Sequence, residues 1–500
     1  MAQDACAGPA PWSTKVLGVA STRKCIILRT HTKTGDVALI KSISGIRGTI
    51  GGRPGENLTP VDIVRFASAF GHWLKGRSSS NSVIVGRDGR ISGPLVSEMV
   101  VQTLMALGLD VVDIGLSTTP TVEMAVTARG AAGGIIITAS HNPKEWNALK
   151  LLNASGEFIS ASDGAEVLAL AEAGGAVFAP VDGLGRRLPD ADSMRHHIEA
   201  ILAHPLVRRD LVAARRFRIV VDAVNSTGAV FVPALLEALG LRQEDIIVLN
   251  GNVDGHFAHN PEPLPGNLLQ LSSEVVRAQA DLGIAVDPDV DRLVLVCEDG
   301  SMFGEEYTLV AVADYVLGHR KGDTVSNLSS SRALRDVTQK HGGTYHAAAV
   351  GEVNVVRRMK DVSAVIGGEG NGGIIVPELH YGRDALAGIA LALSHLAASG
   401  KSLAQLRRTY PDYHISKNRI ELPEGLDLTA VFDRLAERYA GEELNREDGL
   451  RIEFADGWVH LRASNTEPII RIIAEGRSET SAEHMAQRLV ADIREGLHSA

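Results

Sequence analysis

Short apolar runs that break into polar or glycine-rich loops recur along this chain. Ser82-Val-Ile-Val-Gly86 runs into Arg87-Asp-Gly-Arg90, and Gly134-Ile-Ile-Ile137 runs into Thr138-Ala-Ser-His-Asn-Pro143. Arg218-Ile-Val-Val221 leads to Asp222-Ala-Val-Asn-Ser-Thr-Gly228, and Ile284-Ala-Val286 leads to Asp287-Pro-Asp-Val-Asp-Arg292. Val362 to Ile366 reads as another strand, ending in Gly367-Gly-Glu-Gly-Asn-Gly-Gly373. Amphipathic stretches lie between the runs. Leu58-Thr59-Pro60 opens one, with Thr59 as cap, Pro60 at the first helical position and Leu58 stapled to Ile63. Pro94 to Leu107 forms the next, closed by Gly108. Strands alternating with helices at this spacing predict parallel sheets with right-handed crossovers.

The pattern predicts three related α/β units at 37–205, 206–305 and 306–415. It then changes. Trp458-Val-His-Leu461 and Ile469-Ile-Arg-Ile-Ile473 read as strands around a polar loop, and Ser481 to Leu497 as a closing helix, so 416–500 is expected to be an α+β domain. Residues 1–36 show no amphipathic period and no signal-peptide pattern, and are expected to be a disordered extension.

Aromatic residues make up only 4% of the chain, so the cores must rest on Val, Ile, Leu and Ala. A net charge of −10 argues against a nucleic-acid partner, although a local arginine cluster can still hold an anion. Three cysteines cannot build a disulfide framework, which suits a cytoplasmic protein, and no apolar run is long enough to span a bilayer, so no membrane partner is expected.

Four loops carry candidate chemistry. Asp287, Asp289 and Asp291 stand at alternate positions after a buried strand; on extended backbone they would point the same way and suit Mg²⁺. A solvated acidic turn is the alternative. Ser140 follows a buried strand that would fix its hydroxyl, with His141 beside it; a turn-capping serine and a loop-bonding histidine are the bland readings. Arg462-Ala-Ser464-Asn465-Thr466-Glu-Pro468, followed by Arg471, could cradle a phosphate, or could be a solvated hairpin. Glu369 and Asn371 sit among glycines that allow close approach of a ligand rich in hydroxyls.

Taken in this order, together with Ser44-Gly-Ile-Arg-Gly48, the loops resemble the α-D-phosphohexomutase superfamily from about Ile40 to the C-terminus. The resemblance implies four domains, three mixed α/β and a C-terminal α+β domain, around a central cleft. It implies that Ser140 is the phosphorylated catalytic serine, and that Asp287, Asp289 and Asp291 bind one Mg²⁺ per active site together with a phosphoserine oxygen. It implies sugar contacts from Glu369 and Asn371, and a distal phosphate held by Arg462, Ser464, Asn465 and Thr466, with Arg471 a further donor. Lys150 stands where the family has a general acid/base, and Arg47 where it has a cleft arginine. Glu352 falls in a region where the contact residue varies with specificity. His141 and Arg292 are supporting residues; Arg47 and Arg292 would depress the pKa of Lys150. The sugar loop ends in Gly373 where the family often has His.

The implied reaction interconverts hexose 6-phosphate and hexose 1-phosphate through a hexose 1,6-bisphosphate. The SISGIRGTIGG opening and the GEGNGG loop most resemble the glucosamine-phosphate branch, with phosphomannomutase/phosphoglucomutase the alternative. The expected partners are small hexose phosphates.

Overall fold

The computed structural model describes residues 39–42, 45–421, 428–463 and 469–498. The extension expected at 1–36 lies outside the described residues. Three of the four sheets contain the same four-strand arrangement. In the first, the order is Trp146–Leu152, Gly133–Ile137, Ser82–Arg87, Asp110–Leu116. In the second it is Leu293–Cys297, Leu282–Val286, Ile219–Asp222, Ile246–Leu249. In the third it is Gly373–Ile375, Ile366–Glu369, Thr324–Asn327, Tyr345–Ala348. The first sheet is widened by Ile40–Ser42 and Gly45–Thr49 on one edge and Arg187–Pro189 on the other.

Each arrangement departs from an all-parallel sheet in the same way. Its first three strands in chain order pair in parallel, and the fourth returns antiparallel. The connection into that fourth strand is only a short loop, too short for a parallel crossover, which takes a dozen or more residues. The chain therefore folds back as a hairpin. Those three hairpin loops are the serine loop, the aspartate loop and the glycine-rich loop, so one topological position is used three times.

Local signals hold well at the first helix, Pro60–Lys75. The Asp62 carboxylate accepts from the Thr59 amide at 3.1 Å and from its hydroxyl, while Leu58 and Ile63 are both buried in one core. The strand expected over 362–366 lies further along the chain and shares only Ile366 with that reading. Helix Glu352–Val362 continues to it because Val355, Val356 and Met359 recur at helical spacing and are buried. Ser363, with φ 52°, ends the helix, and the strand is Ile366–Glu369. The second and third units share one apolar core running from Ile198 to Tyr410, into which helices Glu305–His319 and Ala385–Ser399 are packed.

The C-terminal sheet is wholly antiparallel, in the order His414–Glu421, Ile469–Gly476, Gly457–Ala463, Leu450–Phe454, Glu443–Asn445. Helices Leu428–Arg438 and Glu479–His498 complete an α+β unit. Among the described residues no helix is long and apolar enough to cross a membrane.

Arg332, at the start of helix Arg332–Lys340 in the third unit, ties that unit to the C-terminal sheet. Its guanidinium donates to Glu453, to the Phe454 carbonyl at 2.8 Å and to the Gly457 carbonyl at 2.7 Å. Its amide donates to Glu475 Oε1 at 3.0 Å, which also accepts from the buried Trp458 indole at 2.8 Å. Removing one member of such a buried ionic cluster leaves the others uncompensated and costs about 3–5 kcal/mol. Arg332→Ala is therefore expected to lower the midpoint of the first urea unfolding transition by that equivalent; an unchanged midpoint would show that Arg332 does not hold the two units together.

Candidate active site

Every residue of Gly133–Ile137 is buried, and the strand delivers Thr138, Ala139 and Ser140 to its end. Ser140 has φ 49°, a left-handed conformation that costs a non-glycine residue about 1–3 kcal/mol unless its surroundings impose it. Here they do. The Ser140 amide donates to Thr138 Oγ1 at 2.9 Å, and that hydroxyl donates to Asp88 Oδ2 at 2.6 Å. Arg90, fully buried, donates to the carbonyls of Ser140 and Asn142, to those of Pro143 at 2.7 Å and Trp146 at 3.0 Å, and to Asp88 at 3.0 Å. Arg90 and Asp88 read from sequence only as a polar turn; their role depends on contacts some fifty residues away.

The aspartate loop faces this serine. Asp287, Asp289 and Asp291 are all fully buried, with one carboxylate oxygen from each within 4.8 Å of the others. The convergence is not that of an extended strand. The Val290 amide closes a turn onto the Asp287 carbonyl at 3.0 Å, and Val290 itself has φ 58°. Ser226 and Thr227 hold the turn from behind, donating to the Pro288 carbonyl at 2.7 and 2.6 Å.

The Ser140 hydroxyl donates to Asp287 Oδ2 at 2.6 Å, and His141 Nδ1 lies 3.3 Å from the same hydroxyl. Asp287 Oδ1 accepts from the amides of Asp291 and Arg292, each at 3.1 Å. Asp289 Oδ2 accepts from Thr119 Oγ1 at 2.5 Å and from Lys150 Nζ at 2.7 Å. Asp291 Oδ2 accepts from Arg383 Nη2 at 2.7 Å and lies 3.6 Å from Lys150 Nζ. Thus three units contribute to one cluster.

Its electrostatics follow from that crowding. Burial, then repulsion from Asp291 and Asp289, pushes the Asp287 carboxyl well above its usual range. Burial acts the same way on Asp289, but Lys150 outweighs it and holds that carboxyl down. Burial alone would lower Lys150; Asp289 and Asp291 overcome it and hold the ammonium above its ordinary value. The depression expected from Arg47 and Arg292 is thus reversed, because two carboxylates stand nearer. Burial and the cations Arg292 and Arg383 keep His141 well below the usual imidazole value.

A cation fits this donor set. Asp289 Oδ1 and Asp291 Oδ1 are buried and accept no hydrogen bond, an expensive state for carboxylate oxygens without a positive partner. All-oxygen donors of this kind suit a hard divalent ion.

The third unit adds Glu352 and Glu369, both expected from the sequence, and Arg383, which sequence reasoning missed. Arg383 donates to Glu352 Oε2, Glu369 Oε2 and Asp291 Oδ2 at 2.9, 2.9 and 2.7 Å. Glu369 Oε1 also accepts from Asn327 Nδ2 at 2.8 Å. A Cβ at Gly373 would stand 2.3 Å from Arg383 Cδ, so the glycine at the end of this loop makes room for the arginine. Asn371 is turned inward, with its Oδ1 accepting from the Gly373 amide at 3.2 Å. Arg292 leans toward Glu262, 3.8 Å away, with its Nε buried and without a hydrogen bond.

On the C-terminal sheet Arg462 and Arg471 stand directly opposite each other, and Arg419 pairs with Arg471 from the other side. Three arginines therefore form one cross-strand row. Like charges so placed repel, and Asp448, 3.3 Å from Arg462 Nε, offsets only part of the charge. Arg47, on the first unit, is lowered by burial and then by the charge of Arg471. Arg419 was missed because only strand register aligns it with the others. Ser464, Asn465 and Thr466 lie outside the described residues.

Comparison with known proteins matches this chain to four successive family profiles. Phosphoglucomutase/phosphomannomutase alpha/beta/alpha domain I covers residues 39–176, domain II 195–300, domain III 304–413, and the C-terminal domain 419–492. A "Probable phosphoglucosamine mutase" of Methanopyrus kandleri is 36% identical over 90% of this chain and 97% of its own length. A "Phosphoglucomutase/phosphomannomutase" of Thermococcus kodakarensis is 35% identical over 90% of this chain and 98% of its own. The crystal structure of a phosphoglucomutase/phosphomannomutase family protein from Burkholderia thailandensis superposes with a TM-score of 0.79 at 26% identity, covering 93% of this chain and 97% of that one.

The two unpartnered aspartate oxygens generate a direct expectation. Mg²⁺ added to the chelator-treated protein should raise Tm in a concentration-dependent way, as any ligand of the folded state does. The double substitution Asp289→Asn with Asp291→Asn should abolish that rise. A rise of undiminished size in the double variant would place the ion elsewhere.

Proposed function

This chain belongs to the phosphoglucomutase/phosphomannomutase family of enzymes, and on that premise we propose that it interconverts hexose 6-phosphate and hexose 1-phosphate through a phosphorylated Ser140. The observation that carries the reading is the Ser140 hydroxyl bonded to Asp287 within the buried aspartate trio. Phosphoserine 140 gives its phosphoryl group to a free hydroxyl of the sugar monophosphate, forming a hexose 1,6-bisphosphate. The bisphosphate turns over within the cleft, and its original phosphate passes to the Ser140 hydroxyl. Each transfer forms one P–O bond as another breaks, and catalysis of this kind is chiefly positioning and charge stabilisation.

Asp287, Asp289 and Asp291 would hold Mg²⁺, which when bound supplies positive charge to the transferring group. Lys150, held as an ammonium, would give its proton to the departing Ser140 oxygen and take one back from the sugar hydroxyl, so that the proton count balances. The arginine row of Arg419, Arg462 and Arg471, joined by Arg47, is suited to the phosphate that is not reacting, since guanidinium forks match phosphate oxygens. Ser464, Asn465 and Thr466 would complete that cradle. Glu352, Glu369 and Asn371 border the space for the sugar.

Glucosamine 6-phosphate is the proposed substrate, with glucosamine 1-phosphate as product; the 36% identical Methanopyrus relative with a phosphoglucosamine mutase name supports it. The similar identity of the Thermococcus relative favours glucose and mannose phosphates as the second reading. Relative kcat/KM for the three sugars separates them, and a tenfold or larger preference for glucosamine phosphate is expected. A preference for mannose or glucose phosphate would select the second reading. Inorganic phosphate released in step with substrate loss would instead mark a phosphatase.

Two substitutions test the roles. Ser140→Ala should abolish exchange while leaving the fold intact, and near wild-type exchange without added bisphosphate would remove Ser140 from the mechanism. Arg90→Lys keeps the charge but loses the fork that holds four carbonyls, and should lower kcat by about 10²-fold with little change in KM. A loss confined to KM would contradict a positioning role.

A further inference from the structure

A second group of ligand-type side chains lies beside the aspartate cluster, where helices Thr119–Ala128 and Ser193–Ala203 meet the start of helix Ala385–Ser399. His197, on helix Ser193–Ala203, and His380, in the turn before helix Ala385–Ser399, both direct Nε2 at one oxygen of Asp384. The separations are 2.9 Å from His197 and 3.3 Å from His380, and the two rings stand nearly perpendicular. Asp384 and His197 are buried, and the His380 side chain is only 11% exposed. The other Asp384 oxygen accepts the amides of Leu386 and Ala387 at 2.8 and 3.1 Å, so the helix it caps fixes the carboxylate's orientation.

Each imidazole is also backed at its far nitrogen. His197 Nδ1 lies 2.8 Å from Thr121 Oγ1, and His380 Nδ1 lies 3.1 Å from Glu123 Oε2. This is the outer arrangement that metal-bound histidines show, in which a hydroxyl or carboxylate fixes the ring. Glu123 is 1% exposed, and neither of its oxygens nor His380 Nδ1 makes a well-aligned hydrogen bond. Asp384 is thus fully partnered, whereas Glu123 and His380 Nδ1 are held together by a 3.1 Å ion pair that lacks hydrogen-bond alignment.

We propose that His197, His380 and Asp384 bind one divalent ion of the zinc class, with Thr121 and Glu123 as outer supports, and that the ion staples helices Thr119–Ala128 and Ser193–Ala203 to the start of helix Ala385–Ser399. Two imidazoles and a carboxylate favour such an ion over Mg²⁺, which takes oxygen ligands. The observed N···O separations are near the ~3.3 Å edge of a tetrahedron with ~2.0 Å bonds. The site shares none of its three ligands with the aspartate trio but lies beside it, since Asp384 follows Arg383 and Glu123 feels the charges of Glu352 and Lys150; binding displaces the protons that the imidazoles carry.

The test uses chelator-treated full-length protein titrated with Co²⁺ under excess Mg²⁺. One equivalent of cobalt should give the intense visible band of a tetrahedral, nitrogen-ligated ion, and Zn²⁺ should then bleach it and raise Tm. His197→Gln and His380→Gln should each lose the band and the zinc-dependent Tm rise while keeping the magnesium-dependent one, which also reports that they fold. Asp287→Asn should keep the cobalt band, an arm that does not depend on either histidine variant. Absence of the band in the wild-type chain, its persistence in both histidine variants, or its loss in Asp287→Asn would each overturn the proposal.

Discussion

Three carboxylates fully buried in one turn are the constraint around which the molecule is organised. Placed alone, Asp287, Asp289 and Asp291 would repel one another and lack solvation. The first unit answers with the Lys150 ammonium and the Ser140 hydroxyl, the third with the Arg383 guanidinium. None of these partners comes from the unit that carries the trio. The same contacts that compensate the charge therefore hold the units together and form the site.

The recurring four-strand arrangement explains how the loops arrive at one place. In each unit the third parallel strand ends toward the cleft, and a short hairpin returns the chain antiparallel. Each loop is then fixed from behind by groups of its own. Arg90 and Asp88 hold the serine loop, Ser226 and Thr227 the aspartate loop, and Arg383 with Asn327 the Glu369 loop. Gly373 belongs to the same logic: a side chain there would occupy the path of Arg383.

Much of this was legible in the sequence, and the misses have physical reasons. The apolar runs before Thr138 and Asp287 marked strands that end in chemistry, because a buried strand cannot end in several polar groups without partners for them. The final antiparallel strands were not legible as such, since an apolar run of a few residues carries no sign of direction. Arg90, Arg383 and Arg419 were missed because a single arginine has no local signature; Arg90 is placed by carbonyls some fifty residues away, Arg383 by contacts across units and Arg419 by strand register. The expected lowering of Lys150 failed for the same reason. The neighbourhood implied by the family resemblance holds Arg47 and Arg292, whereas the fold sets Asp289 and Asp291 against the ammonium. The start of helix Pro60–Lys75, whose signals lie within a few residues, was readable.

The account's central claim is that the hydroxyl at position 140 itself carries the travelling phosphoryl group. It is tested most directly by incubating the protein with hexose 1,6-bisphosphate bearing radiolabelled phosphate, mapping the label by proteolysis and mass spectrometry, and chasing with unlabelled hexose monophosphate. The account predicts one label per chain, on Ser140, that leaves with the sugar during the chase. Label on another residue, or label on Ser140 that the sugar cannot remove, would contradict it.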